Sequence, residues 1–174
     1  YVDDDDRLCA AGHATQASWN GSVAGLPGGW DRMLADSFDL DDRAPDTLGA
    51  LAVVVDPTWT GQGLSALVLA GFKASAARRG LRRVLVPVRP TEKSGRPDLD
   101  FDAYCALRRG DGEAVDGWIR THERCGGEVV GISPLSQHVE APLDAWERWA
   151  GRSLVGEPRA HVPGSLGPVE LDHR

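Results

Sequence analysis

The stretch from Leu48 to Val88 most tightly constrains how this chain can fold. LGALAVVV, beginning at Leu48, is a nearly continuous apolar run that stops at two turn formers, Asp56 and Pro57. An apolar run without alternation reads as a strand covered on both faces. Gly61 and Gly63 follow, and then Leu64, Leu67, Val68 and Phe72 recur at helical spacing across Gly63–Arg79. Arg78 and Arg79 complement the negative end of that helix, and Gly80 stops it. Leu81–Val88 (LRRVLVPV) supplies a second buried strand, in which Pro87 cannot donate a ladder hydrogen bond and so must sit at an unpaired edge or bulge. Strand, glycine turn, helix and strand in that order point to an α/β or α+β sheet domain.

The flanks are read more coarsely. YVDDDD at residues 1–6 is the end of a strand running into an acidic turn, and residues 7–18 form a further strand. Residues 21–31 are a loop, Asp31 caps a short helix through Phe38, and an acidic linker spans Asp39–Asp46. Residues 89–100 form a loop, and helices are expected around Tyr104–Arg109, Val115–Cys125 and Pro142–Ala150. Short strands are expected at Glu128–Ile132 and Pro168–Leu171. The whole chain, 1–174, is expected to be a single domain, with a core region at 48–132 and C-terminal strands and a helix in 133–174.

Composition removes several function classes. With 174 residues, 41% hydrophobic and 26% charged, the chain has the make-up of an ordinary globular domain, and no uninterrupted apolar stretch is long enough for a membrane span. A net charge of −7 argues against nucleic-acid binding, which depends on clustered Lys and Arg, and would tolerate or attract a cationic substrate. Cys9, Cys105 and Cys125 are too scattered for a disulfide framework, so a reducing cytoplasm is the expected location. The chain starts at Tyr1 without an initiator Met or a signal segment, and is read as a fragment.

The chemistry lies in VDPTWTGQGLSALVL. Without Cβ atoms at Gly61 and Gly63 the backbone can curl so that the N–H groups of Gly61, Gln62, Gly63, Leu64 and Ser65 converge on the electropositive start of the helix, a place suited to a pyrophosphate. This stretch resembles the acetyl-CoA-binding motif of the GNAT acetyltransferases: Val55, Pro57, Gly61, Gly63, Leu64 and Ser65 fall on the family pattern. Thr60 stands where Arg or Gln is usual, and Ser65 where Gly or Ala is usual. The resemblance implies a mixed, mostly antiparallel twisted sheet with flanking helices. Its central strands would splay at Pro87, and the usual N-terminal strand and helices would be missing. It also implies that the backbone of Val53, Val54 and Val55 bonds the pantetheine amides, while Thr60 and the Gly61–Ser65 amides hold the diphosphate of acetyl-CoA or another acyl-CoA; Lys93 is a candidate for its phosphates by charge attraction. Arg89 and Arg96 are further candidates for its phosphates.

THERCGGEVVGI resembles the family's later helix and following strand, with His122 in place of the Tyr that protonates the departing thiolate and Gly127 in place of a Phe. His122 is therefore the candidate acid, with Tyr104 second. Asp56, Glu92, Asp98, Asp100 and Asp102 are candidate bases, and Trp19, Trp30, Trp118, Trp146 and Trp149 are candidates for lining an acceptor pocket. The implied activity is direct acyl transfer to an amine of a small molecule or protein, in a chain that is a monomer or a homodimer. A non-catalytic acyl-CoA sensor is the alternative. GQGLSA at 61–66 also satisfies a GxGxxA dinucleotide fingerprint, but DPTWT separates it from the strand and no acid ends the next strand. The chain has no P-loop Lys-Ser/Thr and no GxSxG elbow, and His13, His122, Cys105 and Cys125 lack the tight ligand pairs of a zinc site.

Overall fold

A computed structural model of the chain describes residues 1–39 and 44–171. They fall into two compact units, the first made of Tyr1–Val88 with Thr121–His138 and the second of Arg89–Arg120 with Val139–Arg174.

The first unit is built on a mixed sheet in the order β1 (Ala10–Ala17), β2 (Thr47–Val55), β3 (Arg83–Leu85). Strand β1 runs antiparallel to β2 from Ala10 opposite Val55 to Ala17 opposite Thr47. Strand β3 runs parallel to β2, but the pairing lasts only from Thr47 opposite Arg83 to Gly49 opposite Leu85. A side-chain cluster pins this short junction. The Asp46 carboxylate accepts from the Trp19 amide at 3.0 Å, the Thr47 hydroxyl at 2.8 Å and the Arg83 guanidinium at 2.8 Å. These donors hold its carboxyl below the usual aspartate range, the Trp19 amide most of all. Arg83 also lies 5.7 Å above the Trp19 ring.

Helix α2 (Leu64–Arg78) connects β2 to β3 and buries Val68, Leu69, Phe72 and Ala76, whereas Leu67, expected on the apolar stripe, is exposed. The helix packs so closely on β1 that a Cβ at Gly12 would lie 2.6 Å from Val68 and 2.7 Å from Phe72. Glycine is what lets helix and strand approach. Helix α1 (Trp30–Asp36) buries Met33, whose sulfur would lie 2.7 Å from a Cβ at Gly49. Helix α4 (Gly117–Arg124) has its first half in the second unit and its second half in the first.

The second unit contains α3 (Phe101–Cys105), α5 (Leu143–Ala150) and an antiparallel ladder of β4 (Arg159–Ala160) with β5 (Val169–Glu170). A buried polar cluster holds it together. Asp116 accepts from the Tyr104 hydroxyl at 2.9 Å and from the amides of Glu92, Trp118 and Ile119 at 2.9, 2.9 and 3.1 Å, so it caps α4 while tying in a loop. Lys93, 1% exposed, donates to the carbonyls of Arg96, Pro97 and Leu166 at 2.9, 3.3 and 2.7 Å.

Several expectations need correcting. Only the root of β2 is buried on both sides; from Leu51 onward it is half-exposed, and Val54 is exposed, because β3 has left its edge. Leu81–Val88 keeps only three strand residues. Residues 128–132 are irregular rather than a strand, and β4 falls inside the expected C-terminal strand region at a position that no sequence pattern marks. Part of the expected acidic linker at Asp39–Asp46 lies outside the described residues. Among those residues no helix is long and apolar enough to cross a membrane.

Gly12→Val should cost about 1–3 kcal/mol or more, because the added branches meet α2 at sub-contact distances. Urea denaturation of the variant beside the parent measures it, and an unchanged midpoint would refute this packing.

Candidate functional site

Three backbone features follow one another from the middle of β2 to the start of α2. The first is the turn into α2. Asp56 opens it by accepting from the Thr58 amide at 2.8 Å and hydroxyl at 2.5 Å, which caps a 3-10 turn over Pro57–Trp59. The Thr60 hydroxyl donates back to the Pro57 carbonyl at 2.9 Å. Gly61 and Gly63 both take φ +78°, a left-handed conformation that side chains resist, and the space beside both is open. The first helical amides with a partner are those of Ala66 and Leu67, which donate to the Gly63 carbonyl at 3.0 and 3.2 Å. No N–H from Gly61 to Ser65 bonds a protein acceptor among the described residues, and Gly63 offers no side-chain cap. Five amides at the positive end of a fifteen-residue helix are thus left for an external acceptor.

The second feature is the divergence of the strands. Beyond Gly49, β2 continues for six residues, Ala50–Val55, paired to β1 on one edge and without a β3 partner on the other. Pro87 comes two residues after the last paired residue of β3, Leu85. A residue without an N–H costs nothing where no ladder exists.

The third feature is a β-bulge. His13 lies opposite Ala52 and Ala14 opposite Ala50, so Leu51 is the extra residue on β2. The indole N–H of Trp30 donates to its carbonyl at 2.7 Å, fixing the orientation of that peptide. Neither the bulge nor this bond has a sequence signature in LGALAVVV, which contains no proline and whose glycine lies two residues away.

Two cavities in the first unit are lined by described residues near these features. One, of about 460 Å³, is walled by Leu26, Met33, Leu85, Pro87, Val130 and Ile132, among others. The other, of about 400 Å³, lies between α2 and β3, with His122, Lys73, Arg82 and Arg83 among its lining. Burial pushes the His122 imidazole down to about 4. At pH 7 only about one ring in a thousand would carry the proton that an acid must give. A ring held neutral in this way does not favour the proton-donor role expected of it.

The remaining candidates are mostly spent on structure. Tyr104, in the second unit, is 2% exposed and its hydroxyl proton is committed to Asp116; burial, then that carboxylate, raises the phenol above its ordinary range. It is not available as an acid. Lys93, buried against three carbonyls, does not reach out to a phosphate. Arg89, also in the second unit, donates to the Gly164 carbonyl. Among the acids, Asp56 caps its turn, Glu92 accepts from the Gly117 amide, Asp100 caps α3 and Asp98 meets His161 at 3.0 Å. Neither cavity is lined by a tryptophan, and Trp146 and Trp149 stack edge to face on each other. Among the described residues no group of three or more His, Cys, Asp or Glu is placed to hold a metal.

No protein-family model matches the chain. Its sequence is 30% identical, over 168 residues, to arginine N-acetyltransferase avaD of Aspergillus versicolor. The match takes in 83% of this chain and 58% of that protein, so the chain spans less than two thirds of its relative's length.

The His122 environment has a pH signature. In the unfolded chain the ring titrates near 6.5 and in the folded protein near 4, so unfolding takes up a proton between those values. The associated stability is complete above about pH 6.5 and drains away as the pH falls towards 4. Thermal melts at pH 7 and pH 5 should show a smaller loss for His122→Gln than for the parent. Equal losses would contradict a neutral buried ring.

Proposed function

We propose that this chain carries the acyl-CoA-binding core of a GNAT-type N-acyltransferase, which moves an acetyl or other acyl group from the thioester to an amine. One observation carries the reading: parallel pairing ends at Gly49 and Leu85, leaving an open β2 edge that leads to five unpartnered amides at the head of α2. A diphosphate fits the amides of Gly61–Ser65, and the edge of Val53–Val55 offers backbone groups to the two amides of a pantetheine arm. The similarity to an N-acetyltransferase supports the same class of chemistry.

Acyl-CoA supplies an activated thioester, and the protein's part is to hold and polarise it. We assign a backbone N–H at the Leu51 bulge to the carbonyl oxygen, where charge builds as the amine attacks. Trp30 keeps that peptide oriented through the Leu51 carbonyl. The acceptor amine loses its proton to ordered water, and the thiolate is protonated from solvent, since His122 is neutral and Tyr104 is bound to Asp116. By its name the relative acts on arginine, which makes arginine the first acceptor to offer; the net charge of −7 favours a cationic acceptor. The inward commitment of both expected acids favours one second reading, an acyl-CoA sensor that binds without turnover.

Release of free thiol from acetyl-CoA separates the two: a transferase releases it only when an acceptor is present, a sensor never does. Ser65→Asp tests the cradle. A carboxylate in the first turn suits the helix dipole and should leave the melting temperature unchanged or raised, yet it repels a diphosphate and should weaken CoA binding at least about tenfold in isothermal titration. Retained affinity would remove the cradle from the scheme. Trp30→Phe should lower kcat several-fold with little change in KM, because it loosens the oxyanion peptide rather than the cradle.

A further inference from the structure

The apolar cavity of about 460 Å³ sits at the floor of the strand divergence. Two of its walls touch the last paired step of the sheet: Leu85 is the partner of Gly49, and Met33 packs on Gly49. The Leu51 bulge lies two residues further along β2, roughly 7 Å away at the rise of an extended strand. A thioester carbonyl held at the bulge is thus about two residues along β2 from Gly49, the strand residue on which the cavity walls Met33 and Leu85 meet.

The lining has no titratable side chain. Its one hydroxyl, on Ser133, donates to the Gly28 carbonyl at 2.8 Å and is already used. An ammonium or guanidinium against this lining would meet no counter-charge, which disfavours the cationic end of an acceptor. Much of the apolar wall is left wet: Val23 is 65% exposed, Leu135 77%, and Val130 and Ile132 38% each. An acetyl group would cover little of it. A wall of this kind is stabilised by an aliphatic occupant.

Resting on the proposed acyl-CoA reading, we infer that this cavity is an acyl-chain pocket and that the chain's preferred donor carries a medium-length aliphatic acyl group rather than acetyl. Each methylene buried tightens binding about fourfold, so a chain of six carbons gains markedly over one of two even when partly covered.

Isothermal titration of the protein with CoA, acetyl-CoA and hexanoyl-CoA tests this. Hexanoyl-CoA should bind at least about tenfold more tightly than acetyl-CoA. Two variants fill the pocket. In Gly131→Leu the new Cβ stands 3.2 Å from Leu26 and 3.6 Å from Val23, and Val130→Phe enlarges a half-exposed wall residue. Either should abolish the hexanoyl advantage while leaving acetyl-CoA affinity within about twofold. Equal affinities for the two thioesters in the parent, or an advantage that survives both variants, overturn the pocket while leaving the acyl-CoA reading in place. Affinity that ignores acyl length but rises with the apolar bulk of an offered amine assigns the cavity to the acceptor and likewise overturns the inference. Failure of CoA itself to bind brings down the acyl-CoA reading, and the pocket with it.

Discussion

Three residues of parallel pairing between β2 and β3 decide the character of the first unit. A parallel ladder needs both edges to continue, and here Asp46 anchors the root while nothing sustains the pairing beyond Gly49. Arg83 does two jobs at that root: it is the first paired residue of β3, and its guanidinium ties Asp46 to the Trp19 ring. Fixing one end and releasing the other lets two strands stay in one sheet yet part company where a ligand could lie between them. Backbone groups on the open edge stay solvated, so leaving them without a strand partner is tolerable.

Close packing elsewhere gives that opening a firm frame. Gly12 lets α2 settle on β1, and Gly49 lets Met33 reach β2. The two glycines of the turn serve a different purpose, since the space around them is empty and it is their left-handed backbone that matters. Glycine thus acts as absent volume at Gly12 and Gly49 and as torsional freedom at Gly61 and Gly63.

Much of this was legible in the sequence because it lies in local pattern. The apolar run before Asp56, the Gly61 and Gly63 spacing and the helical recurrence after them place β2, the turn and α2. Pro87 marks the region where pairing is lost, although the ladder stops two residues earlier. What stayed hidden depends on distant partners. The Leu51 bulge is a mismatch between two strands, visible only once both are paired, and Trp30 reaches it from a helix some twenty positions upstream. His122 has the right residue type for proton transfer, but burial decides its charge. Lys93 and Tyr104 looked like reactive groups in a polar loop and helix, and tertiary contacts turned both inward. Residues 128–132 have strand composition without a ladder to join.

The confinement of Lys93 bears on self-modification. The chain has only two lysines, and the other, Lys73, donates to the Cys125 carbonyl. An amine reacts as a nucleophile only where its nitrogen can be reached, and the Lys93 nitrogen, held by three carbonyls inside the protein, cannot. Of the two lysine amines, one is thereby shut away from any electrophile in solution, while the Lys73 side chain stays at the surface.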